Sequence, residues 1–288
     1  LALYSCQKEI SNSDAVAKMT ATFASTIVNI YVSGQENRKP TYWKNGSPVY
    51  LLGNGSTPYI SSSIAVSGND VYVGGNGLGV AKYWKNGSIA NLTHGSTDAY
   101  ALSIAVSGND LYVAGKESKN NGTTYFAKYW KNGSPVNLTN GSTNASAASI
   151  ALSGTDVYVA GYEGSVAKYW KNGNSVNLTN GSTNAAASSI AVSGTDVYVT
   201  GTVNGFATYW KNGIAVTLSN LSSSASCIAV SGTDVYVAGT VNGFATYWKN
   251  GIATTLSNLS SSASSIAVSG TDVYVTGTVN GFATYWKN

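Results

Sequence analysis

Residues 189–213 read SIAVSGTDVYVTGTVNGFATYWKNG, and this stretch decides the fold. Short runs of β-branched and aromatic residues, such as Val197–Val199 and Phe206–Trp210, alternate with turns that contain Gly. Gly adopts positive φ at little cost, and Asn-Gly is a strong hairpin signal. The stretch therefore predicts three antiparallel strands, and the run Ala215–Leu218 that follows predicts a fourth.

This unit recurs along the whole chain. All seven tryptophans lie in the tetrapeptide Tyr-Trp-Lys-Asn, at positions 43, 84, 130, 170, 210, 248 and 286, so that successive copies are 38 to 46 residues apart. Four strands in about 40 residues are typical of one propeller blade. We predict an all-β protein, a β-propeller of four-stranded antiparallel blades, with seven blades favoured over six or eight.

The last copy reaches Asn288 at the point where the other copies continue into a fourth strand. We expect the last blade to be incomplete in this chain, or to receive its outer strand from a segment near Asp14 to Thr20. The first strand of the first blade is degenerate and is expected around Thr22 to Ser25.

Composition narrows the class of protein. Of 288 residues, 43% are hydrophobic and 10% are charged, which excludes a disordered chain. A net charge of +4 with no cluster of basic residues gives no support to nucleic-acid binding, and the dispersed lysines are expected on a solvated surface. No apolar run reaches the ~20 residues of a membrane-spanning helix. We expect a monomer that meets a membrane only through a possible lipid anchor.

The first nine residues, LALYSCQKE, place a short apolar tail and a small residue before Cys6 and a charged stretch. This arrangement resembles the lipobox of bacterial lipoproteins. The resemblance implies that Cys6 is a lipidation site, that residues 1–20 are a signal remnant and leader, and that residues 21–288 form the propeller. Cys227 stands where other copies carry Ser and is expected to be a small-residue substitution, not half of a disulfide.

The repeat SIAVSGTDVYVTG followed by FATYWKNG is similar to the bacterial β-propeller repeats called SBBP, over about residues 21–288. The Tyr-Trp-Lys-Asn block also resembles uncharacterised Bacteroidetes surface lipoproteins. The resemblance implies a secreted or outer-membrane-anchored protein on the extracellular face, with a binding role. It supplies no catalytic motif.

The sequence offers few residues that are suited to catalysis. His94 is the only histidine and stands where other copies carry Asn, which predicts an exposed loop residue and excludes a site built from several histidines. Residues 201–238 and 239–276 differ at three positions only, and repeated groups do not give the separated pKa values that acid–base catalysis needs. We expect no enzyme activity, no cofactor and no metal. Six of the 12 acids recur in one turn, and their carboxylates are expected to hold that hairpin by accepting backbone N–H bonds; a calcium ring is the alternative.

A ligand is expected on the end of the propeller that carries the second-to-third-strand loops and the crossovers between blades, because loops on a rigid scaffold often carry recognition. The candidate binding residues there are Tyr59, His94, Asp98, Tyr100, Lys116, Glu117, Tyr162 and Glu163. We predict a non-enzymatic surface binding or scaffold module for a protein or glycan. Two alternatives are a polysaccharide hydrolase or lyase with its site over the central channel, where Glu117, Glu163 or Asp98 would converge, and a structural spacer without a ligand. The six Lys-Asn-Gly turns at the opposite end offer a ring of weak equivalent sites for a repetitive polymer.

Overall fold

The computed structural model describes residues 29–36, 39–51, 59–118 and 122–288, and it confirms an all-β propeller of seven blades. Each blade is an antiparallel sheet whose strands are adjacent in the order of the chain. Five blades have four described strands, while blade 1 and blade 7 have three each. The leader, Cys6 and the degenerate strand expected around Thr22 to Ser25 lie outside the described residues.

The strands of the first four blades have the following bounds. Blade 1 contains β1 (Tyr31–Glu36), β2 (Lys39–Lys44) and β3 (Ser47–Tyr50). Blade 2 contains β4 (Tyr59–Ser67), β5 (Asp70–Gly77), β6 (Val80–Lys85) and β7 (Ser88–Asn91). Blade 3 contains β8 (Ala99–Ser107), β9 (Asp110–Ser118), β10 (Tyr125–Lys131) and β11 (Ser134–Asn137). Blade 4 contains β12 (Ala145–Ser153), β13 (Asp156–Glu163), β14 (Val166–Lys171) and β15 (Asn174–Asn177).

The remaining three blades repeat this pattern. Blade 5 contains β16 (Ala185–Ser193), β17 (Asp196–Val203), β18 (Phe206–Lys211) and β19 (Ile214–Thr217). Blade 6 contains β20 (Ser223–Ser231), β21 (Asp234–Val241), β22 (Phe244–Lys249) and β23 (Ile252–Thr255). Blade 7 contains β24 (Ser261–Ser269), β25 (Asp272–Val279) and β26 (Phe282–Lys287). From blade 2 onward, the first strands of consecutive blades contact one another and surround the axis, whereas the fourth strands are the exposed outer edges.

Aromatic side chains hold consecutive blades together. Trp170 of blade 4 packs in one cluster with Ile150 and Val159 of its own blade and with Tyr112 and Tyr129 of blade 3. An equivalent cluster lies at each of the six interfaces from blade 1 to blade 7. Five tryptophans are at most 1% exposed and belong to the packed core: Trp84, Trp130, Trp170, Trp210 and Trp248.

The first strands are longer than the sequence predicted. In blade 5 the strand begins at Ala185 and not at Ser189, with a bulge between Ala187 and Ser189. Ala185 and Ala187 are buried, because small side chains fit where neighbouring blades approach closely. The Ala-rich and Ser-rich segments that precede Ile in blades 2 to 7 are therefore strands, not connections.

Serine side chains link the first strands around the axis. The Oγ of Ser103 accepts a hydrogen bond of 3.2 Å from the amide of Ile150 in the next blade. The same bond, at 3.2 to 3.4 Å, is donated to Ser63, Ser149 and Ser189. In blade 6 the position is occupied by Cys227, a fully buried thiol whose Sγ lies 3.9 Å from Ser265 Oγ.

We expect Cys227→Ser to raise the melting temperature by about 2 °C. A hydroxyl is a better hydrogen-bond acceptor than a thiol, and a hydrogen bond contributes about 1 kcal/mol to the free energy of unfolding. In a protein of this size, about 1 kcal/mol corresponds to a shift of about 2 °C in melting temperature. The equivalent serines show that the site accommodates this side chain. Thermal unfolding of the variant beside wild type measures the effect, and a melting temperature lowered by 2 °C or more would contradict the prediction.

A cavity of about 440 Å³ separates blade 7 from blade 1. Its walls include Val32 and Trp43 on one side and Tyr274 and Tyr285 on the other. At the other interfaces this space holds an Ile of the first strand and the Leu after the fourth strand, as Ile104 and Leu92 do between blades 2 and 3. Among the described residues, blade 1 has no first strand and blade 7 has no fourth strand to supply these two side chains at this interface.

Candidate functional site

The two ends of the propeller differ in chemistry. Hairpin alternation places the first-to-second and third-to-fourth turns of every blade at one end, here called the turn face. The second-to-third turns and the crossovers lie at the other end, here called the loop face. For example, the amide of Ala99, the first residue of β8 after a crossover, donates to the carbonyl of Gly79 in such a turn. On the turn face, Gly at positive φ opens one turn and Asn-Gly at positive φ forms the other.

The turn face repeats one polar cluster. In blade 5, Lys211 Nζ lies 2.8 Å from Asp196 Oδ2 and 5.2 Å from the centre of the Tyr198 ring. Asn212 donates to Asp196 Oδ1 at 2.8 Å and accepts from the amide of Val197 at 2.9 Å. The Asp–Lys pair recurs at 2.8 Å in blades 2 to 7.

These groups serve the turn itself. The pKa of Asp196 is lowered by hydrogen bonds from Lys211 and then Asn212, and the pKa of Lys211 is raised by Asp196 and then Tyr198. The sequence predicted that the carboxylate would accept backbone amides; instead, the Asn side chain binds the amide and the carboxylate binds the Asn and the Lys. A ligand on the turn face would have to displace these internal bonds.

The loop face carries the residues in which the blades differ. Several of the candidate residues, which the sequence placed in loops, lie at strand ends: Lys116 and Glu117 in β9, and Tyr162 and Glu163 in β13. Tyr59 and Tyr100, expected in crossovers, are in β4 and β8. His94 and Asp98 do lie in a crossover, between β7 and β8, and both are exposed.

Three lysines of the third strands are buried, contrary to the expectation that the lysines form a solvated surface. Lys82, Lys128 and Lys168 are 5% to 7% exposed. Each has a polar partner of its own blade near the loop face: Asn91 accepts from Lys82 at 2.7 Å, Glu117 pairs with Lys128, and Glu163 pairs with Lys168 at 2.6 Å. Blades 5 to 7 have Thr in place of these lysines and Val in place of the glutamates, so both positions differ between blades 3 and 4 and blades 5 to 7. Blade 2 instead combines Lys82 with Gly77, and blade 1 combines Thr41 with Glu36.

Glu117 is a fixed anion. Burial alone would raise its pKa, but hydrogen bonds from Lys128 and Thr97 outweigh burial and leave the pKa below its ordinary value. Thr97 Oγ1 donates to Glu117 Oε1 at 2.5 Å. A general acid needs a raised pKa, so this environment favours a structural carboxylate. Glu117 and Glu163 are each paired with the lysine of their own blade.

The exchange of pairs between blades predicts the outcome of a double-mutant cycle in blade 4. Glu163→Val leaves the buried Lys168 without its anion and should cost about 2 kcal/mol, below the range for fully buried pairs because Glu163 is partly exposed. The double variant Glu163→Val/Lys168→Thr reproduces blade 5 and should lie within about 1 kcal/mol of wild type. Urea unfolding of the four proteins measures the coupling free energy between Glu163 and Lys168. If the losses of the two single variants simply add in the double variant, the two residues do not stabilise the blade as a pair.

Among the described residues, blade 3 places one lysine against two tyrosine rings at the loop face, whereas Lys39 of blade 1 and Lys82 of blade 2 each lie over a single tyrosine ring. Lys116 Nζ lies 4.5 Å from the centre of the Tyr125 ring and 5.2 Å from that of Tyr100. The two rings meet edge to face at 5.9 Å, and all three side chains are half-buried. Register explains the meeting, because Tyr100 pairs with Lys116 in the sheet and Tyr125 is the diagonal neighbour on the same face.

The electrostatics of this blade-3 cluster differ from those of the turn face. Burial lowers the pKa of Lys116, and across the described residues no acid lies within ion-pair distance of it. The pKa of Tyr125 is raised by burial, with smaller contributions from Tyr100 and from the carboxylate of Asp98. The structure thus brings Tyr100 and Lys116 together from the candidates and adds Tyr125, while the carboxylate of Asp98 acts on this group through its effect on the pKa of Tyr125.

The other candidates are dispersed. Tyr59 is 5% exposed and packs edge to face on Trp84 at 6.2 Å, so its ring belongs to the interface between blades 1 and 2. His94 is exposed, as the sequence predicted. Tyr162 and Glu163 lie on adjacent positions of β13 and point to opposite faces of blade 4.

Within the described residues there is no group of three or more His, Cys, Asp or Glu side chains placed to hold a metal ion. The same part of the chain has no helix of the length and apolarity that a membrane crossing needs.

Comparison with known proteins supports the fold alone. No family model matches the chain, and no curated protein matches it. Among solved structures, the computationally designed Ika8 protein is similar, with a TM-score of 0.54 and 20% identity over 89% of this chain and 80% of that chain. A chain of the mitotic checkpoint complex is similar with a TM-score of 0.57 and 12% identity, over 98% of this chain and 99% of that chain. The propeller is compatible with a binding or scaffold module.

Proposed function

We propose that the chain is a non-enzymatic binding module that recognises a protein or glycan through the loop face of blades 2 to 4. The observation that carries this proposal is the contrast between the two ends of the propeller. On the turn face, one self-satisfied cluster recurs from blade to blade, whereas the loop face of blade 3 holds a cation and two rings that no other described blade has.

The contrast favours recognition over catalysis. Glu117 and Glu163 are bound by lysines, and the lowered pKa of Glu117 keeps it ionised at neutral pH. Aromatic rings with hydroxyl, ammonium and carboxylate groups nearby are a common composition of polar ligand sites on rigid scaffolds. Incubation with a panel of polysaccharides should release no product, and release that Glu117→Gln abolishes would establish the hydrolase alternative.

A screen with two matched variants tests the proposal. Tyr100→Ser/Lys116→Thr/Tyr125→Ser replaces the blade-3 cluster with residues that other blades carry at the same register positions, so the fold should persist. Lys131→Gln changes the turn face of the same blade. On a glycan array and a surface-protein screen, wild type and Lys131→Gln should share their ligands, and the triple variant should lose them. Equal binding by all three proteins would contradict loop-face recognition.

We also propose that the module belongs with SBBP-like surface proteins of Bacteroidetes and is anchored through Cys6. The support is the resemblance of the repeat and of the first nine residues. Metabolic labelling with a fatty-acid analogue, compared between wild type and Cys6→Ser, tests the anchor; equal labelling would overturn it.

A further inference from the structure

We propose that the blade-3 cluster of Tyr100, Lys116 and Tyr125 binds a saccharide that carries a carboxylate, with Lys116 as the residue that selects the negative charge. The inference rests on the proposed function and names the class of ligand that the loop face would take.

The surroundings of Lys116 call for an anion. Every other lysine that is buried near the loop face already has a Glu or Asn partner, and the turn-face lysines of blades 2 to 7 have Asp. Lys116 is half-buried against two rings and, among the residues that the structure describes, has no acidic partner. Rings attract a cation weakly compared with a carboxylate, so a carboxylate from a ligand would compensate the lost hydration.

The neighbouring groups fit a sugar. Two tyrosine rings at 5.9 Å offer apolar surface and two phenol hydroxyls. The exposed carboxylate of Asp98 is close enough to raise the pKa of Tyr125, and a carboxylate accepts hydrogen bonds from sugar hydroxyls. One cation, one anion and two rings suit a molecule that presents a carboxylate, hydroxyls and C–H faces together.

Among blades 2 to 7, the register shows this arrangement once. The position of Lys116 is Asn76 in blade 2, Tyr162 in blade 4, and Thr in blades 5 to 7. The position of Tyr100 is Ile60 in blade 2 and Ser or Ala in blades 4 to 7. A Lys between two Tyr therefore occurs in blade 3 and in none of these five blades.

The test uses an oligosaccharide of galacturonic acid and its carboxyl-reduced counterpart, titrated into the full chain by calorimetry. Wild type should bind the acidic oligosaccharide at least tenfold more tightly than the reduced one. Lys116→Thr should remove that preference, Lys116→Arg should retain it within about threefold, and Lys131→Gln should match wild type. Far-ultraviolet circular dichroism and melting temperature confirm that the variants fold.

The outcomes separate this inference from the proposed function. Loss of neutral-glycan binding in Tyr100→Ser/Tyr125→Ser, with no effect of Lys116→Thr, would leave loop-face recognition intact and overturn the charge selection. Absence of binding of the acidic oligosaccharide at millimolar concentration would also overturn it. If a poly-glutamate peptide binds as tightly as the acidic oligosaccharide and also requires Lys116, the ligand class is an acidic protein segment and the saccharide proposal is overturned.

Discussion

Replacing Gly161 with Ala should destabilise the protein by about 3 kcal/mol or prevent folding. A Cβ built on Gly161 would lie 1.9 Å from the carbonyl oxygen of Ser146 and 2.9 Å from its carbon. Both atoms are backbone of the bulged first strand, so neither can turn aside as a flexible side chain would. Relief requires the first two strands of blade 4 to separate, which disrupts the most buried part of the blade.

A matched control isolates the clash from the general effect of changing a glycine. Gly173 has φ of +84° in the third-to-fourth turn, and its Cβ would meet nothing within 4 Å. Gly173→Ala should therefore cost only the strain of a left-handed residue, about 1 kcal/mol. Denaturant unfolding measures both variants; equal stabilities for Gly161→Ala and Gly173→Ala would show that the close approach is not what requires glycine.

Replacing Trp170 with Ala should cost about 3 to 5 kcal/mol. The side chain is 1% exposed and packs on both blade 3 and blade 4, so its loss leaves a cavity at an interface that cannot collapse without moving a whole sheet. The loss of stability should appear as a lower midpoint of urea unfolding, whether or not the yield of soluble protein falls.

Trp286 provides the comparison within the same tetrapeptide. It lies in blade 7, is only partly buried, and its strand has no described fourth strand beside it. Trp286→Ala should therefore cost less than half as much as Trp170→Ala, because less apolar area returns to water. A loss at Trp286 as large as that at Trp170 would contradict the assignment of stability to the interfaces between blades.

The repeat predicted the architecture because each blade has the same local needs. Tyr-Trp-Lys-Asn marks the third strand of each blade, and Gly recurs after Tyr-Val-x in the second strand. Only the structure shows why Gly is required there: the bulged first strand approaches its backbone closely. The length of the first strands was missed, since Ala185 and its neighbours are typical of a connection until the next blade covers them.

The binding surface was predicted less well. Asp98, Tyr100 and Lys116 were identified by their departure from the repeat, but Tyr125 was missed because it follows an insertion that shifts its apparent position. The buried lysines were missed because a lone Lys in a strand gives no sign of its partner. The signal was available in the paired exchange of Glu117 and Lys128 for Val203 and Thr208 in later blades, and it needed the register to be recognised.

The stoichiometry of binding tests the central claim, recognition by the loop face of the divergent blades, most directly. Once a ligand is found, calorimetric titration of the full chain should give one site per chain, and the triple variant of the blade-3 cluster should abolish it. Five or six equivalent sites that persist in that variant would place recognition on the repeated turn face and contradict the claim.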